Sequence, residues 1–140
     1  MALAEKIEKK IHLRVITPTA TTVDDSVDMV ILRAITGDMG ILPEHEPYLC
    51  VLDDGVLRIL EGDTERRVAV FGGIAEIQGT AITVLTEEAR RPQEIDLEQA
   101  KAKQAQLELE IKEKDDIDRR AHQAQLRRAI AEVDVASFPH

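Results

Sequence analysis

Residues 71–111 read FGGIAEIQGTAITVLTEEARRPQEIDLEQAKAKQAQLELEI, and the chain changes character inside them. All seven glycines of the protein (37, 40, 55, 62, 72, 73 and 79) lie at or before Gly79, and beyond it only Pro92 and Pro139 could break a helix. The first half of the stretch, IAEI and AITVL around Gln78-Gly79, has the β-branched runs and turn signal of paired strands. The second half is rich in Ala, Glu, Gln, Lys and Leu, the residues that lose least on entering a helix. Arg90–Gln93 forms the hinge between them. The expected architecture is therefore α+β: an N-terminal antiparallel β-sandwich over 1–90, then a C-terminal helical hairpin over 91–140.

Upstream, turn signals recur between short β-rich runs. Asp54-Gly55 separates YLCVL (48–52) from VLRIL (56–60), Gly62-Asp63 separates VLRIL from ERRVAVF (65–71), and Gly72-Gly73 follows. Each predicts a hairpin or a bulge. IHLRVIT (11–17) sets Ile11, Leu13 and Val15 against His12 and Arg14, a half-buried strand. Residues 27–35, VDMVILRAI, instead carry Val27, Met29 and Ile31 on one face and Val30 and Leu32 on the other. Such a strand is either central and covered twice or carries an interaction surface on its outer face.

In the helical part, Asp96 followed by Gln99 predicts a capping box, and Leu97, Ala100, Leu107 and Ile111 fall on one stripe broken by Gln104. KDDID (114–118) interrupts, with Asp115 or Asp116 as the cap of a second helix, whose apolar face is expected at Leu126, Ile130 and Val133. With no glycine at the turn, a single long helix is also open. Both stripes are thin and rich in alanine, which gives little docking energy at about 25 cal/mol per Å² of apolar area. The hairpin is expected to be held weakly and free to move.

Composition narrows the function. At 140 residues with 44 % hydrophobic residues, the chain has enough material for a core, and with aromatics at 2 % that core is aliphatic. No apolar run approaches the ~20 residues that cross a bilayer. The basic N-terminus MALAEKIEKKIHLRV has no apolar signal region, so a soluble protein working where it is made is expected. The net charge of −9 and the near-absence of stacking aromatics argue against nucleic acid as a partner. The single cysteine, Cys50, cannot form an internal disulfide and sits in an apolar run, the setting of a buried inert thiol.

Chemistry is sparse. His12, His45, His122 and His140 are scattered, and no His/Cys/carboxylate set has metal-ligand spacing, so neither a metal nor a catalytic residue is assigned. Ser26 and Ser137 sit in no nucleophile motif. Asp24-Asp25, Asp53-Asp54 and Glu87-Glu88 read as solvated turn residues. GDMGILPEHEP (37–47) lacks the Gly-Lys-Ser/Thr ending of a phosphate loop. Its prolines, Pro43 and Pro47, stiffen it, lowering the entropy lost when a partner holds it. His45 reads as an exposed imidazole fixed by Glu44 or Glu46.

GDMGILPEHEPYL, followed by FGGIAEIQGTAITVL and then an acidic, alanine-rich stretch, resembles the epsilon subunit of F-type ATP synthases over nearly the whole chain. The resemblance implies a β-sandwich with two C-terminal helices and a non-catalytic role on the central rotor. The implied partners are the gamma subunit, the ring of c subunits and, when the helices extend and inhibit ATP hydrolysis, the alpha/beta catalytic head. It implies a peripheral place on the cytoplasmic face of a bacterial inner membrane. Asp38 and His45 match family positions facing the c ring, and Glu44 beside them is the third candidate c-ring contact. Glu44 and Glu46 stand where Gly and Ala are frequent, so either the ring offers a basic residue or these glutamates point away.

The doubly apolar strand 27–35 and the segment YLCVL (48–52) are the candidates for the gamma-facing surface, with Met29, Ile31, Tyr48 and Leu49 as the named residues. Arg119, Arg120, Arg127 and Arg128 are the candidates for contact with the head, against a plainer reading as a solvated stripe pairing with Asp115, Asp116 and Asp118. Some family members bind ATP through I/L-D-x-x-R-A. Here Ile95, Asp96 and Ala100 match, but Gln99 replaces the arginine and cannot supply a charge-assisted contact to phosphate. ATP binding is therefore expected to be weak or absent, and no cofactor is assigned. The alternative from another class is a stand-alone β-sandwich binding module with a helical dimerisation arm. A small β-barrel enzyme ranks third.

Overall fold

A computed structural model describes residues 9–113 and 115–139. Among these, eight strands precede two helices: β1 (Ile11–Ile16), β2 (Thr21–Val27), β3 (Met29–Ala34), β4 (Gly37–Ile41), β5 (His45–Glu61), β6 (Thr64–Gly79), β7 (Ala81–Leu85), β8 (Ala89–Arg90), α1 (Leu97–Ile111) and α2 (Asp116–Ser137). A short 3-10 turn over Pro92–Glu94 joins the two parts. Most of the N-terminal MALAEKIEKK stretch lies outside the described residues.

The strands follow one hydrogen-bonded path, β2-β1-β7-β6-β5-β3-β4, with β8 also paired to β6. Two long strands close this path into a sandwich. In β5, Cys50 and Leu52 point inward, and so do Leu57 and Ile59. Side chains alternate with period two, so the inward parity has switched between 52 and 57. β6 makes the matching switch between Val68 and Val70 on one side and Ala75 and Ile77 on the other. Each long strand thus passes from one sheet to the other. The first sheet is β2, β1, β7 and the adjoining halves of β6 and β5; the second is β4, β3, β8 and the other halves. Their inward residues form one aliphatic core, from Ile11, Leu13 and Val15 to Val30, Leu32 and Ile41.

Asp54-Gly55 is therefore not a hairpin. The β5–β6 pairing keeps one register from Tyr48 opposite Ile77 to Glu61 opposite Thr64, straight through it, with no shift between Leu52 opposite Gly73 and Asp54 opposite Phe71. A turn dipeptide also serves to bend a long strand at a sheet corner. Gly72 (φ +71°) and Gly73 (φ +109°) bend the partner strand at the same place. Gly62-Asp63 and Gly79-Thr80 are true turns. The sandwich also departs from a purely antiparallel one: β1 pairs with β7 in parallel, from His12 opposite Ala81 to Ile16 opposite Leu85. Local turn signals cannot reveal a pairing between chain segments so far apart. Asp24 and Asp25 lie within β2, and Asp53 and Asp54 within β5, so these pairs are strand residues rather than turn residues.

The helical part is a hairpin and not one helix. Asp96 accepts from the Gln99 amide at 3.2 Å, capping α1, and Asp115 accepts from the Asp118 amide at 2.9 Å, capping α2. Asp115 thus takes the role left open between it and Asp116. On α1 the expected stripe is the packed one, with Ala100 and Leu107 buried. On α2 the expected face is displaced. Ala129, Ala131 and Val135 are buried, whereas Ile130 is 45 % exposed and Leu126 and Val133 are half-buried. The small side chains let the helix lie close, which a search for large apolar residues overlooks.

Candidate docking surfaces

The outer face of the first sheet carries a row of large apolar side chains. Val51 lies opposite Ile74, and Ile74 opposite Leu85, in consecutive pairs across β5, β6 and β7. The Ile35 amide donates to the Val51 carbonyl at 3.1 Å, extending the row on one side, and Ile16 beside Leu85 extends it on the other. Ile35 (64 %), Val51 (52 %), Ile74 (39 %) and Leu85 (45 %) are all solvent-exposed. At about 4.8 Å between strands the row is roughly 20 Å long. Leu49, 63 % exposed, stands two residues from Val51 on the same face. A contiguous apolar stripe of this kind marks a contact surface rather than ordinary scatter.

The four residues expected to face gamma are not brought together. Leu49 belongs to the row, whereas Tyr48, half exposed, has the opposite parity, that of the inward Cys50 and Leu52. Met29 and Ile31 are on the second sheet, half-buried: Ile31 lines the cleft under α2, and Met29 borders Leu42, Pro43 and Glu44. Ile35 and Val51 lie in the two segments singled out from sequence, 27–35 and 48–52, whereas Ile74 and Leu85 were missed. A signal was present, because YLCVL is apolar at both parities as 27–35 is, but the register that joins it to Ile74 and Leu85 is not written in any one segment.

The segment 37–47 is mainly β4, a turn and the start of β5, not a free loop. Asp38 receives a hydrogen bond from Arg33 at 3.2 Å on the facing strand. Beyond the other end of β4, Lys9 pairs with Glu44 at 2.8 Å, and the His45 Nδ1–H donates to the Glu46 carbonyl at 2.7 Å. Each of the three residues named for the c ring thus already has an intramolecular partner. Glu44 adopts φ +66°, in the left-handed region, which fits glycine better.

The hairpin sits on the outer face of the second sheet. Ala69 and Phe71 of β6 bury against Ala131 and Val135 of α2, with Val56 and Ile95 at the edge. Around this small cluster lie charges. Arg67 donates to Glu65 at 2.6 Å and to Asp134 at 2.7 Å, and its guanidinium lies 3.9 Å from the centre of the Phe138 ring. Arg128 donates to Asp54 at 3.0 Å, with its guanidinium 5.0 Å from the centre of the Phe71 ring. Two hydrogen bonds from Arg58, together with the one from Arg67, pull the Glu65 carboxyl down to about 2. The solvated-stripe reading therefore needs correcting for Arg128, whose partner is a sandwich aspartate rather than a neighbour on the helix. Arg120 and Arg127 are exposed, and Arg127 borders the cleft between α2 and the sheet.

Ile95, Asp96 and Ala100 have structural roles here: Ile95 packs at the hairpin cluster, Asp96 caps α1 and Ala100 is buried. Cys50 is buried, which pushes its thiol up. Among the described residues no group of three His, Cys, Asp or Glu is placed to hold a metal, and no helix is long and apolar enough to cross a membrane.

Residues 10–92 match the family described as "ATP synthase, Delta/Epsilon chain, beta-sandwich domain". The chain is 36 % identical to the ATP synthase epsilon chain of Halalkalibacterium halodurans over 90 % of its own length and 96 % of the relative's. It is 38 % identical to the epsilon chain of Syntrophobacter fumaroxidans over 91 % and 96 %. Its fold is similar to that of a chain in the mitochondrial ATP synthase of Euglena gracilis, with a TM-score of 0.77 at 21 % identity, covering 92 % of this chain and 82 % of that one. The chain belongs to the epsilon-chain family of the F-type ATP synthases, a non-catalytic central-stalk subunit of that complex.

Proposed function

We propose that this subunit docks on the gamma subunit through the apolar row Ile35–Val51–Ile74–Leu85 with Leu49, and turns towards the c ring the segment that carries Asp38, Glu44 and His45. It couples rotation of the ring to the catalytic head from the cytoplasmic face of a bacterial membrane. The observation that carries the gamma assignment is the row itself: exposed apolar side chains in register across neighbouring strands are stabilised only by a partner that covers them. Two of the three acidic residues of the 37–47 segment meet the ring as members of neutralised pairs, Asp38 with Arg33 and Glu44 with Lys9, which leaves Glu46 as the carboxylate a basic ring residue would meet.

The hairpin completes the reading. Docked, it leaves hydrolysis free; extended towards the alpha/beta head, it inhibits, with Arg119, Arg120, Arg127 and Arg128 meeting acidic residues there. ATP is bound weakly or not at all, since Gln99 stands where the motif has arginine. An ATP titration of the isolated protein that gave submillimolar affinity would contradict this last point.

The row is tested by Val51→Asp and Ile74→Asp. Both side chains lie outside the core, so the sandwich folds, while an unpaired carboxylate in a dry interface weakens gamma binding by at least ~100-fold. Co-purification of both folded variants with gamma at the wild-type level would remove the row from the interface.

A further inference from the structure

The contacts between hairpin and sandwich have a reciprocal plan. Arg67 belongs to the sandwich and reaches a carboxylate and an aromatic ring of the hairpin, Asp134 and Phe138. Arg128 belongs to the hairpin and reaches a carboxylate and an aromatic ring of the sandwich, Asp54 and Phe71. The two rings are the only phenylalanines in the chain. Between the clasps the fully buried apolar contact is small: Ala69, Phe71, Ala131 and Val135, two of them alanines. Alanine adds little to docking by area. Each charged pair has one shielded and one solvent-facing end: Asp54 is 14 % exposed against 48 % for Arg128, and Arg67 22 % against 40 % for Asp134, so dissolved salt reaches both. Such pairs are worth more than fully solvated ones, and each is reinforced by a cation held against a ring face.

From this plan we infer that the hairpin is kept on the sandwich by two reciprocal arginine clasps, Arg67 with Asp134 and Phe138, and Arg128 with Asp54 and Phe71, so that ionic strength governs its release. The clasp also makes Arg128 an either/or residue: while it holds Asp54 it is withheld from any other acidic surface, and leaving the sheet unmasks it. That regulatory consequence rests on the inhibitory reading above, but the clasp itself does not. Salt acts on the clasps because the Debye length falls from roughly 10 Å at 0.1 M to roughly 3 Å at 1 M, whereas apolar contacts are not screened.

The test uses the full chain with Cys50→Ala and spin labels at two exposed positions, Asp63→Cys on the sandwich and Gln125→Cys on α2, with the distance distribution measured at low and high NaCl. The docked-to-open ratio should fall at least about tenfold between about 0.05 M and 1 M salt. Asp54→Asn with Asp134→Asn should show a similar open fraction already at low salt and lose most of the salt response. Exchanging the charges, Asp54→Arg with Arg128→Asp, should restore part of the docking lost on Arg128→Asp alone. A docked population indifferent to both salt and the Asn substitutions overturns the inference. ATP hydrolysis by the assembled enzyme separates the two readings. If the hairpin opens on cue and hydrolysis does not change, the clasp stands and the inhibitory role fails. If it stays docked throughout, the clasp fails whatever hydrolysis does.

Discussion

A β-carbon at position 73 would sit 2.1 Å from the Leu85 carbonyl oxygen and 2.9 Å from the Thr86 α-carbon, on a backbone held at φ +109°. Both obstacles are backbone, so nothing can swing aside. Gly73→Ala should cost about 3 kcal/mol or more of stability. At Gly62 the same substitution meets open space and only the left-handed strain, so about 1 kcal/mol is expected. Urea melts of the two variants check the contrast. Glu44 gives the converse case: at φ +66°, Glu44→Gly should be more stable than Glu44→Ala by about 1 kcal/mol, since both lose the exposed Lys9 pair and only one keeps the strain.

Glu65 supplies the pH dependence. Its carboxyl is lowered from 4.5 to about 2 by the Arg58 and Arg67 hydrogen bonds, so its charged form is favoured in the folded state. The contribution is complete above the unfolded value of 4.5 and is lost as pH falls from there towards 2. Stability measured by urea at stepwise pH should therefore drop between about pH 5 and 2, and Glu65→Gln should flatten the part of that drop owed to this group.

At the scale of elements, legibility followed the range of the forces. The α1 stripe and the caps at Asp96 and Asp115 depend on residues three or four apart, and those were readable. Asp115→Ala should accordingly cost about 1 kcal/mol, and loss of helical signal on heating should begin at lower temperature. The true turns at Gly62 and Gly79 were readable for the same reason. The corner at Asp54-Gly55 was not, because the dipeptide that closes a hairpin also relaxes a strand that must change sheets. Only the continuous pairing with Gly73 and Phe71 distinguishes the two. The α2 face was misplaced for a different reason. Its docking runs through Ala131 and Val135 together with Arg128 and Asp134, so the apolar period is weak where the charged contacts decide the orientation.

For the molecule as a whole, the two halves bury separate clusters. The sandwich core runs from Ile11 to Val84 without any hairpin residue, and the buried hairpin cluster lies on the outside of β5 and β6. The apolar row lies on the outer face of the other sheet. These placements make the subunit divisible. A chain ending at Arg91 keeps β8, the whole core and the row, and uncovers Val56, Ala69 and Phe71 together with the charged Asp54 and Arg67. It should fold, with a modest loss of stability, and should bind gamma as tightly as the full chain. Incorporated into the assembled enzyme, it should raise ATP hydrolysis several-fold, because the sandwich alone can dock but has nothing to extend towards the head. Unchanged hydrolysis with gamma binding intact would leave a structural coupling subunit without an inhibitory arm. Lost gamma binding in a folded truncation would instead place part of that interface on the helices.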